Sequence, residues 1–260
     1  MTTILDRIIE VKKTELDQLR SLSFINDGER KKRSFIEKIN QANEMNIIAE
    51  FKRASPSKGD INPNLNPVEQ AQKYAQFGAD AISVLTDSSF FKGSFADLQA
   101  VREAVDLPIL CKDFIIDQVQ IDIAKFAGAD LILLIAAALE GSKLVELYQY
   151  AQSQNLEVLV EIHDEEDLAK AILAKAQLIG INNRNLKTFE VSLGTTENLA
   201  PLVTETGAAL ISESGIKSIE DVSRVQAAGA RGILVGETFM TSDDLKGTFG
   251  QLKLPLGAVR

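Results

Sequence analysis

Eight short apolar runs, each followed by a loop and an amphipathic segment, constrain this chain more than any other feature. The runs are Ile47–Lys52, Ala81–Leu85, Ile109–Phe114, Leu131–Ala136, Glu157–Ile162, Leu178–Asn182, Ala209–Glu213 and Gly232–Val235. They read as short buried strands. Between them, Val68–Phe77, Asp97–Ala104, Val119–Ala127, Lys143–Ser153, Glu165–Ala174, Glu197–Val203 and Ile219–Ala228 read as helices. Asn66-Pro67 supplies a cap and an N1 proline, and Ser218 with Asp221 has the form of a capping box. A weak repeat supports the count: Gly78-Ala79-Asp80, Gly128-Ala129-Asp130 and Gly229-Ala230-Arg231 each close a helix ahead of an even-numbered strand. Lys175-Ala176-Gln177 takes the same place before the sixth. Residues 46–260 therefore predict a (β/α)8 barrel rather than an open doubly wound sheet. No Gly-x-Gly-x-x-Gly follows the first strand, which weakens a dinucleotide fold.

Ahead of the barrel, Ile4, Leu5, Ile8, Ile9, Leu16 and Leu19 fall near helical spacing. Ser34-Phe35-Ile36-Glu37 opens a second helix with a capping box. Residues 1–260 are expected to form one domain, in which residues 1–45 are an N-terminal helical extension added to a foldable barrel and able to cover its mouth. Lys12 is read as a surface residue of that extension.

The net charge of −9, with Lys31-Lys32-Arg33 the only basic cluster, argues against a nucleic-acid partner. One cysteine excludes an intrachain disulfide, and one histidine argues against a His-based zinc site, so no metal is expected. The longest apolar run, Leu131 to Leu139, is too short to span a bilayer, and residues 1–20 lack the form of a secretory signal. A cytoplasmic protein without a membrane partner is expected, acting as a monomer.

In such barrels the active site lies at the C-terminal ends of the strands. Glu50 and Lys52, Lys112 and Phe114, Glu161, Asn182 and Arg184, Glu213 and Ser214, and Gly236 all fall there. Glu50 and Lys52 are two residues apart and share a strand face, before Pro56 and Gly59 turn the chain into a loop. Unpaired charges in so buried a place are costly, so a purely structural account would need every one of them paired. Lysines and glutamates facing one another in a partly desolvated mouth suit acid–base chemistry. A Schiff base on a lysine, as in barrel aldolases, stays open. His163 is read as a structural group pointing away from Glu161, and Cys111 as core packing turned away from Lys112. Gly215 and Gly236, in the loops after the seventh and eighth strands, suit a phosphate held on backbone N–H groups.

Five motifs carry a resemblance: Ile48-Ala49-Glu50-Phe51-Lys52-Arg53-Ala54-Ser55-Pro56-Ser57, Leu110-Cys111-Lys112-Asp113-Phe114, Val160-Glu161-Ile162, Gly180-Ile181-Asn182-Asn183-Arg184-Asn185-Leu186 and Ser212-Glu213-Ser214-Gly215-Ile216. With them the chain closely resembles the indole-3-glycerol phosphate synthase family. The resemblance implies ring closure of 1-(2-carboxyphenylamino)-1-deoxyribulose 5-phosphate with loss of carbon dioxide and water, and no cofactor. It implies Lys112 as the acid at the carbonyl oxygen, Lys52, Glu50 and Glu161 in later proton transfers, and Asn182 and Glu213 as orienting groups. Ser55, Ser214, Gly215 and Gly236 are implied as phosphate binders. Glu237 joins them through its backbone N–H alone, because its carboxylate would repel phosphate. Lys52 and Arg184 are placed to neutralise phosphate or carboxylate, and Phe114 and Leu186 to pack on the aromatic ring. Two other readings compete with this one. The sister isomerase acting on phosphoribosyl anthranilate uses a Cys and Asp pair, whereas here Lys112 takes the inward place. A non-catalytic phosphosugar-binding barrel would lack at least one inward charge, and none is missing.

Overall fold

The computed structural model describes residues 3–21, 31 and 33–256. Eight parallel strands close on themselves in chain order: β1 (Asn46–Phe51), β2 (Ala81–Leu85), β3 (Ile109–Lys112), β4 (Leu131–Ile135), β5 (Glu157–Ile162), β6 (Leu178–Asn182), β7 (Ala209–Glu213) and β8 (Gly232–Val235). β1 pairs β8 with Ile48 opposite Leu234, and pairs β2 with Ile48 opposite Ala81. Side chains alternate between two cores. Ile48, Leu110, Leu133, Leu159, Leu178, Ile211 and Leu234 fill the barrel, while Ile47, Ile82, Cys111, Val160 and Ile233 meet the surrounding helices.

That alternation decides where the charges go. Two residues beyond Ile48, Leu110, Leu159 and Ile211 stand Glu50, Lys112, Glu161 and Glu213, all on the inward face at the C-terminal end.

The helices begin and end where their caps say they should. Asn66 accepts hydrogen bonds from the N–H groups of Val68 and Glu69, and Gly78 closes the same helix at φ 105°, a region only glycine enters freely. The Ser218–Asp221 capping box is present. The Gly-Ala-Asp repeat has a concrete use: Asp80 accepts from the N–H of Ile47 and Asp130 from that of Ile109, both at 2.9 Å. Asp80 and Asp130 thus each satisfy a donor at the start of the preceding strand. The third strand stops at Lys112, short of the expected Phe114, because the Asp113 carboxylate accepts the Phe114 N–H at 2.7 Å and takes it from the ladder. A short hairpin, Ala54–Ser55 with Gly59–Asp60, and a C-terminal helix, Leu245–Leu252, were not expected. Phe249 of that helix stacks on Phe239 with ring centroids 4.1 Å apart.

The two N-terminal helices serve opposite ends of the barrel. α1 (Ile4–Arg20) lies over the mouth, where Ile4, Leu5 and Ile8 line the cavity. Lys12 is buried, contrary to expectation, with its ammonium 2.9 Å from both Asp87 and Asp113. α2 (Phe35–Gln41) closes the far end: Phe35 and Ile39 are fully buried within the interior core. The N–H groups of Phe35 and Ile36 donate to Glu157, at the start of β5, at 2.9 and 3.0 Å. The second half of the extension is therefore part of the core and not an addition to it. No helix among the described residues is long and apolar enough to cross a membrane.

Candidate active site

A cavity of about 790 Å³ opens at the C-terminal ends of the strands. All the expected site residues line it: Glu50, Lys52, Ser55, Lys112, Phe114, Glu161, Asn182, Arg184, Leu186, Glu213, Ser214, Gly215, Gly236 and Glu237.

Lys112 is the centre of the larger polar cluster. Its ammonium lies 2.6 Å from Glu213 Oε2 and 3.3 Å from Glu161 Oε2. Asn182 Nδ2 donates to the other Glu161 oxygen at 3.1 Å, fixing the carboxylate in its plane. Burial alone would push Lys112 toward the neutral amine, but Glu213, Glu161 and Glu50 outweigh it and raise its pKa. Burial also pushes Glu213 up, to about 7, against the pull of Lys112 and with the help of Glu161. Glu161 goes the other way: burial is overcome by Lys112, His163 and Asn182, and its carboxyl is held below the usual range. Two carboxylates beside one ammonium thus divide into a firm anion and a group poised near neutrality. The smaller cluster is Lys52, which donates to Glu50 Oε1 at 2.5 Å.

His163 corrects the sequence reading. It lies two residues beyond Glu161, so the strand period returns it to the same side. Its Nε2 is 3.4 Å from Glu161 Oε1 and its Nδ1 3.4 Å from Asp167 Oδ2. Burial lowers its pKa, yet Asp167 and Glu161 prevail and raise it. Cys111 faces the outer core as expected, and burial pushes its thiol up.

The loops after β7 and β8 form the other wall. Ser214 and Gly215 both take left-handed backbone, at φ 66° and 85°. A Cβ on Gly215 would also come within 2.7 Å of Val191. At Gly236 a Cβ would stand 2.6 Å from Glu50 Oε1, so that glycine leaves room for a carboxylate as well as bounding the loop. The Glu237 carboxylate is answered by Lys58 at 3.2 Å. Phe114 packs against Phe91 with centroids 5.8 Å apart. The Arg184 guanidinium donates to the Phe189 carbonyl at 3.2 Å.

Sequence reasoning missed several residues that shape this site. Asn183, buried beside Asn182, donates to Ser212 Oγ and to the carbonyls of Glu213 and Ser214 at 2.9–3.0 Å, and accepts from Thr196. It ties the end of β6 to the loop after β7. Arg53 clamps the hairpin after β1 with two bonds to Asp97, at 2.5 and 3.0 Å, and lies over the Phe51 ring. The alternation of polar and apolar positions that marks Asn182 as inward would have marked Asn183 as an outward, buried amide in need of partners.

A parallel eight-stranded barrel whose mouth combines two lysine–carboxylate clusters with glycine-bearing loops after its last two strands defines a class: barrel enzymes of acid–base chemistry. Solved structures with this fold include 3-hexulose-6-phosphate synthase, at TM-score 0.60 and 19% identity over 80% of this chain and 98% of that one. Thiamine phosphate pyrophosphorylase from Pyrococcus furiosus also matches at TM-score 0.60, with 17% identity over 80% and 93%. At such identities the likeness is one of fold alone. The family model for indole-3-glycerol phosphate synthase matches residues 3–252. An indole-3-glycerol phosphate synthase from Oceanobacillus iheyensis is 54% identical over 256 residues, covering 98% of both chains. One from Bacillus cereus is 54% identical over 254 residues, covering 98% of this chain and 99% of the other. The chain belongs to the indole-3-glycerol phosphate synthase family.

Proposed function

We propose that this site closes the indole ring of 1-(2-carboxyphenylamino)-1-deoxyribulose 5-phosphate, with Lys112 as the group that acts on the carbonyl oxygen. As a member of its family the chain is a decarboxylating lyase of tryptophan biosynthesis, forming indole-3-glycerol phosphate. The observation that carries the residue assignment is the ammonium of Lys112, held charged between Glu161 and Glu213 in a buried mouth.

The substrate's phosphate rests on backbone N–H groups of Ser214, Gly215, Gly236 and Glu237, with the Ser55 hydroxyl beside them. Phe114 and Leu186 pack on its aromatic ring. Arg184 and Lys52 answer its phosphate and carboxylate charges. The ring carbon that bears the carboxylate attacks the carbonyl carbon, and a carbon–carbon bond forms. Lys112 stabilises the charge developing on oxygen and supplies its proton, an effect strengthened where water is scarce. Carbon dioxide leaves, and the electrons of its bond restore the aromatic ring. The new hydroxyl then departs as water: an acid protonates it while a base removes a proton to set the final double bond. Lys52, Glu50 and Glu161 serve those transfers, and Asn182 and Glu213 orient them.

A Schiff base on Lys112 is the weaker reading, because an amine kept protonated by three carboxylates is a poor nucleophile. The mouth is lined by elements of one chain, which supports a monomeric enzyme. Incubation with the carboxyphenylamino ribulose phosphate, followed by indole fluorescence, tests the assignment. Lys112→Ala should fold and lose roughly 10²–10⁴-fold in turnover. Turnover within about twofold of the parent would remove Lys112 from the acid role.

A further inference from the structure

Gly180 occupies the inward face of β6 between Leu178 and Asn182, in register with Glu161 on one side and Ile211 on the other. Its backbone needs no glycine, since it lies outside the positive-φ region and within a regular strand. A glycine there weakens a strand and gives the barrel nothing to pack. What it does leave is space. A Cβ at this position would stand 2.1 Å from Glu213 Oε1 and 3.1 Å from Glu213 Cδ. The carboxylate of Glu213 therefore sits where any other residue's side chain would begin. Its Oε2 meets Lys112 at 2.6 Å, whereas its Oε1 is buried without a hydrogen-bond partner among the described residues. With no such partner to hold it, that oxygen's position depends on the room above Gly180.

We propose that Gly180 is a positioning residue for the reaction, whose missing side chain is the seat of the Glu213 carboxylate and keeps it on Lys112. The inference rests on the role given to the Lys112 cluster under the proposed function. Gly236 stands in the same relation to Glu50, but it also bounds the loop assigned to phosphate, so its substitution would mix two effects.

The test uses Gly180→Ala alone and combined with Glu213→Ala, in the full chain. The single variant should keep its melting temperature within about 3 °C and lose at least about tenfold in kcat with little change in KM. In the Glu213→Ala background the same substitution should change the residual kcat by less than about twofold, because the partner it acts through is gone. Unchanged kcat in the single variant, or an equal loss in both backgrounds, overturns the proposal and assigns the glycine to packing against Leu159, which lies 3.3 Å from the same Cβ. If the single variant fails to fold while the double variant folds, the conflict is with Glu213 and the seat stands; if both fail, it does not. A carboxyl NMR titration of the free protein separates this from the reaction itself. The Glu213 resonance should titrate at a different pH in Gly180→Ala than in the parent, whatever the parent's activity, and an unmoved titration overturns the proposal.

Discussion

Lys12 and Asp113 meet across 2.9 Å beneath the N-terminal helix, and Asp113 is the residue that follows Lys112. The same ammonium reaches Asp87 at 2.9 Å, and all three side chains are almost fully buried. Burial works against the charge on Lys12, but Asp113 and Asp87 prevail and raise its pKa. The helix over the mouth is thus latched to the loops after β2 and β3 by a buried charge triad.

Lys12→Met should be severe for that reason. Removing the cation leaves two buried carboxylates uncompensated, which costs roughly 3–5 kcal/mol. In a chain of this size that loss lowers the melting temperature by about 6–20 °C. A melting temperature within about 2 °C of the parent would show that the triad does not hold the helix.

Deleting the whole helix should do less harm to the fold than that one substitution suggests. Without α1 the carboxylates of Asp87 and Asp113 are hydrated instead of stranded. Removal of residues 1–30 should leave a cooperative barrel with a raised KM, since Ile4, Leu5 and Ile8 no longer wall the cavity. Removal of residues 1–45 should abolish folding, because Phe35 and Ile39 leave the interior core and each such loss costs about 2–5 kcal/mol. Circular dichroism melts and substrate titrations decide both points. Equal stability of the two truncations would mean that the second helix does not close the barrel, and an unchanged KM for the shorter one would end the covering role of the first.

His163 makes stability depend on pH in a stated direction. The groups facing it are Glu161 and Glu213 from the strands and Asp167 from the following helix, with Lys170 bound in turn to Asp167 at 3.5 Å. Its folded pKa is raised above the ordinary histidine value of 6.5. The protonated form therefore stabilises the fold fully below that value, and the contribution fades as pH rises through the folded pKa. His163→Gln should accordingly lower the melting temperature more at pH 5.5 than at pH 9. Equal losses at the two values would leave only a packing role for the ring.

Much of this was legible because a period of two governs a buried parallel strand. Once Ile48, Leu110, Leu159 and Ile211 are recognised as inward, Glu50, Lys112, Glu161 and Glu213 follow without tertiary information. His163 obeys the same period, two residues beyond Glu161, although the strand ends between them at Ile162. Lys12 carried no such signal. It sits in a helix rich in charge, where every lysine looks solvated, and its partners lie 75 and 101 positions away in the chain. The capping box at Ser34 marks the start of a short helix, but which end of the barrel it closes depends on the Glu157 carboxylate that receives its N-terminus. Gly180 carries no signal in the sequence, since the closeness of Glu213 to it exists only in the folded barrel.

Charge recruitment by the mouth rests on few groups. The protein carries a net −9, which opposes an anionic substrate at long range. That repulsion is screened beyond about 8 Å at physiological salt, and charges in a cleft are screened less. Yet most cations there are already answered: Lys112 by Glu161 and Glu213, Lys52 by Glu50, Lys58 by Glu237. Among the described residues Arg184 lines the cavity with only a backbone carbonyl as its guanidinium's hydrogen-bond partner. Together with Lys217, which also lines the cavity and has no ion pair among the described residues, it leaves charge over for a ligand. Arg184→Met should therefore weaken binding of indole-3-glycerol phosphate by about tenfold or more, the loss of a charge-assisted hydrogen bond. Lys52→Met should weaken it less, because the Lys52 ammonium is already paired with Glu50 at 2.5 Å. The exposed Lys13, paired among the described residues with Glu10, serves as the surface control, and Lys13→Met should leave affinity unchanged. Calorimetric titration of the three variants at two salt concentrations distinguishes the cases. An effect of Lys13→Met as large as that of Arg184→Met would mean that bulk charge, and not Arg184, draws the anion in.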